Sequence, residues 1–277
     1  IGTRYYTFAA TLDAVMAACA RRGVEVVVAD RPDPIGGTAR EGGLVRPGFE
    51  SFVGRVPVPV RHGLTLGEIA LLLQERRYPE LELTVVPCRG WTRSQWIDET
   101  GLPWVAPSPN MPTLETAALY PGLCLVEATT LSEGRGTTRP FKLVGAPGLD
   151  AAGMAAAVGE LPGVAARPAW FRPEFGKHAG KVCAGVELVV TDRHELRPVE
   201  LGLRLLAAVH HMAPELFSWR DEAYEFVRDI PAVDLLTGDD RARRAIESGG
   251  GLDEFLAAWR QEVERFEDGL SGRLLYH

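Results

Sequence analysis

The chain contains no apolar run approaching the roughly 20 residues that a helix needs to span a bilayer. It has no Cys-x-x-Cys pair. Its four cysteines (Cys19, Cys88, Cys124 and Cys183) stand singly in apolar surroundings and read as buried thiols rather than as a disulfide pair or zinc ligands. Positive charge is not in excess: 30 basic residues face 37 acidic ones, a net charge of −7, which argues against a broad nucleic-acid-binding surface. A phosphate loop is missing too, because the Gly-x-Gly at Gly134–Gly136 has neither a Lys-Ser/Thr ending nor G-x-G-x-x-G spacing. His210-His211 has no carboxylate at metal-ligand spacing and reads as part core, part surface. No cofactor or metal is expected. There is no internal repeat, low-complexity segment or signal-peptide pattern.

What is present is an ordinary globular composition, 46% hydrophobic and 24% charged, in 277 residues, enough for one large or two modest domains. Residues 9–22 are rich in helix formers and stop at Gly23; residues 24–29 are a β-branched run expected as a strand buried on both faces. A helix is expected from Thr65 to about Arg77, with Thr65 and Glu68 as a capping box, then a strand at 81–86. The second part reads as helix 113–120, strand 123–128, helix 149–161 and strands 164–172 and 182–191, the last with clean alternation at 186–190. Helices follow at about 198–212, 239–247 and 251–268. The fold class is therefore α/β: half of a parallel, doubly wound sheet, then a smaller α/β part with a helical C-terminus. The boundary is expected near 87–92, dividing 1–88 from 89–277. The opening Ile1-Gly2-Thr3-Arg4 reads as the interior of a domain, and a helix followed by a strand leads to the expectation of missing N-terminal sequence.

Three polar loops carry the candidate chemistry. Asp30-Arg31-Pro32-Asp33-Pro34-Ile35-Gly36-Gly37 follows the first strand, Pro107–Thr113 includes Asn110, and Ser132-Glu133-Gly134-Arg135-Gly136-Thr137-Thr138 follows the run Leu123–Val126. Glycines admit a ligand close to the backbone, and the side chains supply directional hydrogen bonds, so one convergent pocket for a polar ligand is expected. Asp30 and Glu127 read either as ligand groups or as partners of arginines such as Arg31 and Arg135; Glu133 reads as ligand-facing. Arg31 and Arg135 lie in these loops, Arg139 directly after the last of them, and Arg4 and Arg61 in other candidate loops, and a guanidinium fork binds carboxylate or phosphate bidentately. That predicts an anionic group on the ligand, with about half of the five being structural. His62 reads either as a proton carrier or as a turn histidine. Tyr5-Tyr6 reads by default as an aromatic wedge under the first helix, although a tuned tyrosine can act in acid–base or nucleophilic chemistry. Trp91, Trp96 and Trp104 could stack on a sugar ring, with Trp96 the most core-like.

Six ordered motifs are shared with one family: Gly2-Thr3-Arg4-Tyr5-Tyr6-Thr7, Asp30–Gly37, Val60-Arg61-His62-Gly63-Leu64-Thr65, Gly101-Leu102-Pro103-Trp104, Pro107–Thr113 and Ser132–Thr138. The chain resembles the exo-β-N-acetylmuramidases of the NamZ type, end to end and including the closing Arg273-Leu274-Leu275-Tyr276. The resemblance implies a Rossmann-like first domain, a smaller α/β domain and removal of terminal non-reducing β-N-acetylmuramic acid from peptidoglycan fragments. It also implies action outside the cytoplasmic membrane, in the periplasm or extracellular space. Tyr6 occupies the position of a proposed catalytic tyrosine. Arg4, Asp30, Arg31, Arg61, His62, Asn110, Glu133, Arg135 and Thr137 are the expected substrate-binding residues. The family's Ser-Pro-Glu-His-Gly motif with its proposed catalytic glutamate is not in this sequence. The expectation is thus of the family's C-terminal portion, with little or no activity if nothing precedes Ile1. Two other classes remain open: a non-catalytic module that holds anionic glycans, and a phosphosugar- or nucleotide-binding enzyme using Gly134–Thr138.

Overall fold

The Ala-rich run Phe8–Ala20 forms helix α1, and the β-branched run after it forms strand β1 at Val26–Ala29; Gly23, at φ 62°, turns the chain between them. These come from a computed structural model that describes residues 1–159, 161–270 and 272–277. Helix α2 (Leu66–Arg77) starts with a full capping box: the Thr65 hydroxyl accepts from the Glu68 N–H, and Glu68 Oε2 accepts from the Thr65 N–H at 3.0 Å. Strand β2 (Leu83–Val86) pairs parallel to β1, from Val26 opposite Leu83 to Ala29 opposite Val86. The expected burial of β1 on both faces is not found: Val26 is buried, but Val27 is 60% exposed.

Two compact units make up the chain, Ile1–Trp104 with Trp259–His277, and Val105–Ala258. This division differs from one after residue 88, because segment 89–104 is tied into the first unit: Arg93 ion-pairs with Glu68 of α2 at 2.6 Å, and the Ile97 N–H donates to the Pro34 carbonyl. The first unit's core joins Met16 of α1, Val56, Val58, Ile69 and Leu73 of α2 to Phe266 and Leu270. Asp13 of α1, 1% exposed, is held by Arg55, by Arg77 at 3.0 Å and by the Tyr78 hydroxyl at 2.9 Å. A buried carboxylate needs such partners, since leaving one unpaired costs several kcal/mol.

The second unit begins with α3 (Leu114–Leu123) and contains β3 (Leu143–Ala146), α4 (Ala151–Val158), β4 (Val164–Phe171) and β5 (Cys183–Val190). Its sheet is antiparallel in the order β3-β5-β4, which among the described residues leaves β4 with a partner strand on one side only. Then come α5 (Pro198–Met212), α6 (Ala232–Thr237), α7 (Arg241–Glu247) and α8 (Leu252–Asp268), whose residues from Trp259 on belong to the first unit.

The expected strand at 123–128 is instead a tight helical turn, Cys124–Ala128, continuing α3. Its apolar run is buried on all sides, and a run of that kind has no period to separate strand from helix. Residues Cys183–Leu188 of β5 are all buried, so the expected alternation does not appear. β3 and α6 had no sequence-based expectation. All four cysteines are free thiols; Cys124 and Cys183 are buried, Cys19 and Cys88 half-buried.

Candidate functional site

In the first unit the site residues gather where β1 ends against the start of α2. Asp30, 4% exposed, takes a hydrogen bond from the Thr65 hydroxyl at 2.6 Å, one from the Gly67 N–H at 2.8 Å and one from the Tyr276 hydroxyl at 2.7 Å. A carboxylate is well placed at a helix N-terminus, where free N–H groups and the helix dipole favour negative charge. Its partners are thus a helix start and a tyrosine rather than an arginine. Tyr276 also accepts the Cys88 N–H at 2.9 Å, which ties the end of β1 to the residues after β2. That link is invisible to local sequence reading, since its partners lie at opposite ends of the chain.

The Tyr6 segment lies alongside residues 60–62. The Arg4 N–H donates to the Val60 carbonyl at 2.8 Å, the His62 N–H donates to the Gly2 carbonyl at 2.9 Å, and Thr3 bridges Arg61. Three residues beyond His62, Thr65 donates to Asp30, so the stretch that pairs with Gly2–Arg4 leads directly to the Asp30 carboxylate. The two tyrosines divide their roles: Tyr5, 3% exposed, fills the core, while Tyr6 is half-buried with its ring edge-on to Phe8 at 5.5 Å.

The arginines separate clearly. Arg4, 1% exposed, donates to the Gly43 and Val58 carbonyls. Arg61 is buried against Glu41 at 3.2 Å and the Ile35 carbonyl. Arg135 pairs with Glu127 at 2.6 Å and Arg139 with Glu187 at 2.6 Å. Arg31 meets no carboxylate among the described residues; it is exposed and donates to the Asp30 carbonyl at 3.0 Å. Beside it opens a cavity of about 490 Å³ at the C-terminal ends of β1 and β2, lined by Asp30, Arg31, Cys88, Arg89, Trp91 and Glu99 among others. Open parallel sheets bind ligands at that edge.

His62 is 4% exposed and its Nδ1 accepts the Leu64 N–H at 3.0 Å. Burial above all, reinforced by the nearby Arg40, Arg4 and Arg93 guanidiniums, pushes its pKa down to about 3. A proton-carrying role near neutrality is therefore closed to it; it is a neutral turn acceptor. Because its folded pKa lies below the ordinary 6.5, the unfolded chain takes up the proton first. Its stabilisation is complete above about pH 6.5 and is lost as pH falls toward about 3. Relative to wild type, His62→Asn, which keeps an acceptor for Leu64, is expected to lose about 2 kcal/mol less stability between about pH 8 and about pH 5. Denaturant unfolding at both pH values measures this, and parallel pH profiles would refute it.

In the second unit the Ser132–Thr138 loop turns its charges inward. Glu133, 5% exposed, faces the Lys177 ammonium at 3.1 Å and Arg135 at 3.8 Å, so it is occupied within the protein rather than left open toward solvent. Glu127 takes Arg135 and also the Tyr224 hydroxyl at 3.2 Å; burial pushes its carboxyl up, opposed by Arg135. Lys177 additionally donates to the Val126 and Leu131 carbonyls, each at 2.9 Å. Two buried carboxylates and two partly exposed cations thus form one charge-balanced network. Sequence reading missed Lys177 and Tyr224, which no local spacing ties to the loop. Thr137 donates to the Gly134 carbonyl at 2.6 Å and the Gly134 N–H to the Ser132 hydroxyl, so the turn's polar groups bond to one another rather than forming an open phosphate cradle. Thr137 also lines a cavity of about 600 Å³ along β4. Asn110 is half-buried in the turn after Ser108. Among the described residues no group of three His, Cys, Asp or Glu side chains could hold a metal ion, and no helix is long and apolar enough to cross a membrane.

Comparison with known proteins gives a consistent picture. Residues 1–115 match the family model described as exo-β-N-acetylmuramidase NamZ, N-terminal, and residues 118–276 match its C-terminal counterpart. Sequence of both family domains is therefore present, which corrects the expectation of a C-terminal portion alone. The chain is 39% identical over its whole length to the peptidoglycan β-N-acetylmuramidase NamZ of Bacillus subtilis (strain 168), and spans 65% of that relative's length. Crystal structures of two DUF1343 family proteins from Bacteroides fragilis are similar over all of this chain and 73% of theirs. Their TM-scores are 0.90 and 0.75, at 29% and 30% identity. With both family models matched in order across nearly every residue, the chain belongs to the NamZ exo-β-N-acetylmuramidase family.

Proposed function

We propose that this protein takes part in releasing terminal, non-reducing β-N-acetylmuramic acid from peptidoglycan fragments, the reaction named for its Bacillus relative. One observation carries the reading beyond family membership. At the C-terminal ends of β1 and β2, the exposed Arg31 and Arg89 line the 490 Å³ cavity, and among the described residues neither forms an ion pair with a carboxylate. Muramic acid carries a lactyl carboxylate, and a planar guanidinium fork is the side chain suited to bind it. The cavity volume lies within the range of about 300–1,000 Å³ usual for small-ligand sites. Asp30 acts by fixing the cavity wall through Thr65, Gly67 and Tyr276, and the half-buried Tyr6 supplies the hydroxyl that works at the scissile bond. Work on wall fragments puts the protein in the periplasm or outside the cell, which fractionation of the source organism tests.

The functional test is release of free N-acetylmuramic acid from a MurNAc–GlcNAc disaccharide. Arg31→Ala is expected to raise KM about tenfold with kcat little changed, the value of one charge-assisted contact. A methyl-esterified lactyl group should show no such dependence on Arg31. An unchanged KM with the free acid would refute the role of Arg31, and binding without sugar release would favour a non-catalytic glycan-binding module.

A further inference from the structure

The last rung of the parallel ladder between β1 and β2 is the Asp30 N–H donating to the Val86 carbonyl at 3.0 Å. Rungs of a parallel pair are evenly spaced: a residue that donates to one residue of its neighbour accepts from the residue two places further on. The next rung would therefore run from the Cys88 N–H to the Asp30 carbonyl. It is not made. The Cys88 N–H donates instead to the Tyr276 hydroxyl at 2.9 Å, and that hydroxyl donates to Asp30 Oδ2 at 2.7 Å. The Asp30 carbonyl released in this way accepts from the Arg31 guanidinium at 3.0 Å.

One hydroxyl from the far end of the chain thus stands where a ladder rung belongs. Past this point residues 30–32 and 86–91 form two walls of the cavity of about 490 Å³. Tyr276, buried at 4% exposure, does not itself line it. Its own position is well fixed. The Leu275 N–H donates to Glu68 Oε1 of α2 at 3.0 Å, and the Tyr276 ring lies edge-on to Trp91 at 5.0 Å. Burial above all pushes the hydroxyl's pKa up, so it keeps its proton and commits it to Asp30. Its oxygen is left to accept from Cys88, and both directions of the bond chain are set.

We propose that Tyr276 is a positioning residue of this cavity: by intercepting the rung between β1 and β2 it holds the two walls apart and frees the Asp30 carbonyl that orients the Arg31 guanidinium. It acts through Arg31 and the Cys88–Arg89 wall rather than by touching a ligand. Without the hydroxyl, the Cys88 N–H is free to take the Asp30 carbonyl. That extends the ladder by one rung, draws the walls together and competes with Arg31 for its acceptor. The kinetic consequence rests on the saccharide reading proposed above; the exchange of hydrogen bonds does not.

Tyr276→Phe tests this, since it keeps the ring against Trp91 and leaves Asp30 its bonds from Thr65 and Gly67. KM for the MurNAc–GlcNAc disaccharide is expected to rise about tenfold with kcat little changed, as for Arg31→Ala. The double variant should be no worse than either single one, because both changes remove the same contact. A hydroxyl that only held the fold together would instead lower the folded fraction, and with it kcat, at constant KM. Cys88→Pro deletes the N–H at the other end of the bond and should reproduce the rise. Independently of turnover, the Arg31 Nε–H resonance in ¹⁵N-labelled protein, assigned by its loss in Arg31→Lys, is expected to shift in both variants. An unmoved Arg31 resonance overturns the proposal, and so does a double variant whose two KM effects multiply. A shifted resonance together with an unchanged KM in Arg31→Ala supports the positioning role and overturns the part given to Arg31 in sugar binding.

Discussion

Tyr6→Phe is expected to lower turnover of a muramyl disaccharide at least about a hundredfold, the lower end of what a positioned proton-transfer group contributes. In free-energy terms that is about 2.7 kcal/mol of lost transition-state stabilisation. The change removes one hydroxyl and keeps the ring that lies edge-on to Phe8 at 5.5 Å. The neighbouring Tyr5 stays in the core at 3% exposure. The melting temperature should therefore stay within about 4 °C of wild type, the cost of at most one hydrogen bond. The diagnostic pattern is a fall in kcat with KM nearly constant, because an interaction made only in the transition state affects kcat and kcat/KM equally. A rate near wild type would end the catalytic assignment. A fall in rate together with a collapse in stability would mean that the hydroxyl holds the loop, where the Phe8 N–H bonds to the Tyr6 carbonyl at 2.8 Å.

The sequence disclosed elements and hid partners. The capping box at Thr65–Glu68 and the β-branched run at Val26–Ala29 were legible because each depends on residues close together in the chain. The turn at Cys124–Ala128 was not, since a run buried on every side has no polar face to reveal its period. The same limit applied to the site. Of the five loop arginines only Arg31 lies in a loop that directly follows a strand, and whether a guanidinium is free depends on distant carboxylates: Glu41 for Arg61, Glu187 for Arg139. About half of the five were expected to be structural; Arg31 is exposed and keeps the ligand-facing character. Asp30 shows this most clearly, because its partner Tyr276 lies at the other end of the chain. Position at the end of a strand was readable; satisfaction of the carboxylate was not.

Glycines hide information of another kind, and one pair sets the second large effect. Gly122 of α3 and Gly202 of α5 face one another so closely that a Cβ on Gly202 would lie 2.3 Å from the Gly122 carbonyl oxygen, and a Cβ on Gly122 only 1.6 Å from that of Pro198. Both obstacles are helix backbone and have no rotamer through which to yield. Gly202→Ala must push the helices apart and open the contact around Leu119, Leu123, Leu203 and Leu206, all fully buried. Alanine gains about 1 kcal/mol over glycine from helix propensity, which the forced separation outweighs. The expected net loss is at least about 2 kcal/mol, a fall of about 4–8 °C in melting temperature. Gly250→Ala, with nothing within 4 Å of its Cβ, is expected to be neutral or to stabilise by up to about 1 kcal/mol. The same chemical change should thus act in opposite directions at two sites in one unit. A higher melting temperature for Gly202→Ala would show that α3 and α5 do not cross at the two glycines. If they do, the damage reaches the site's supports, because α5 packs against the Cys124–Ala128 turn that carries Glu127, and Glu127 holds both Arg135 and Tyr224.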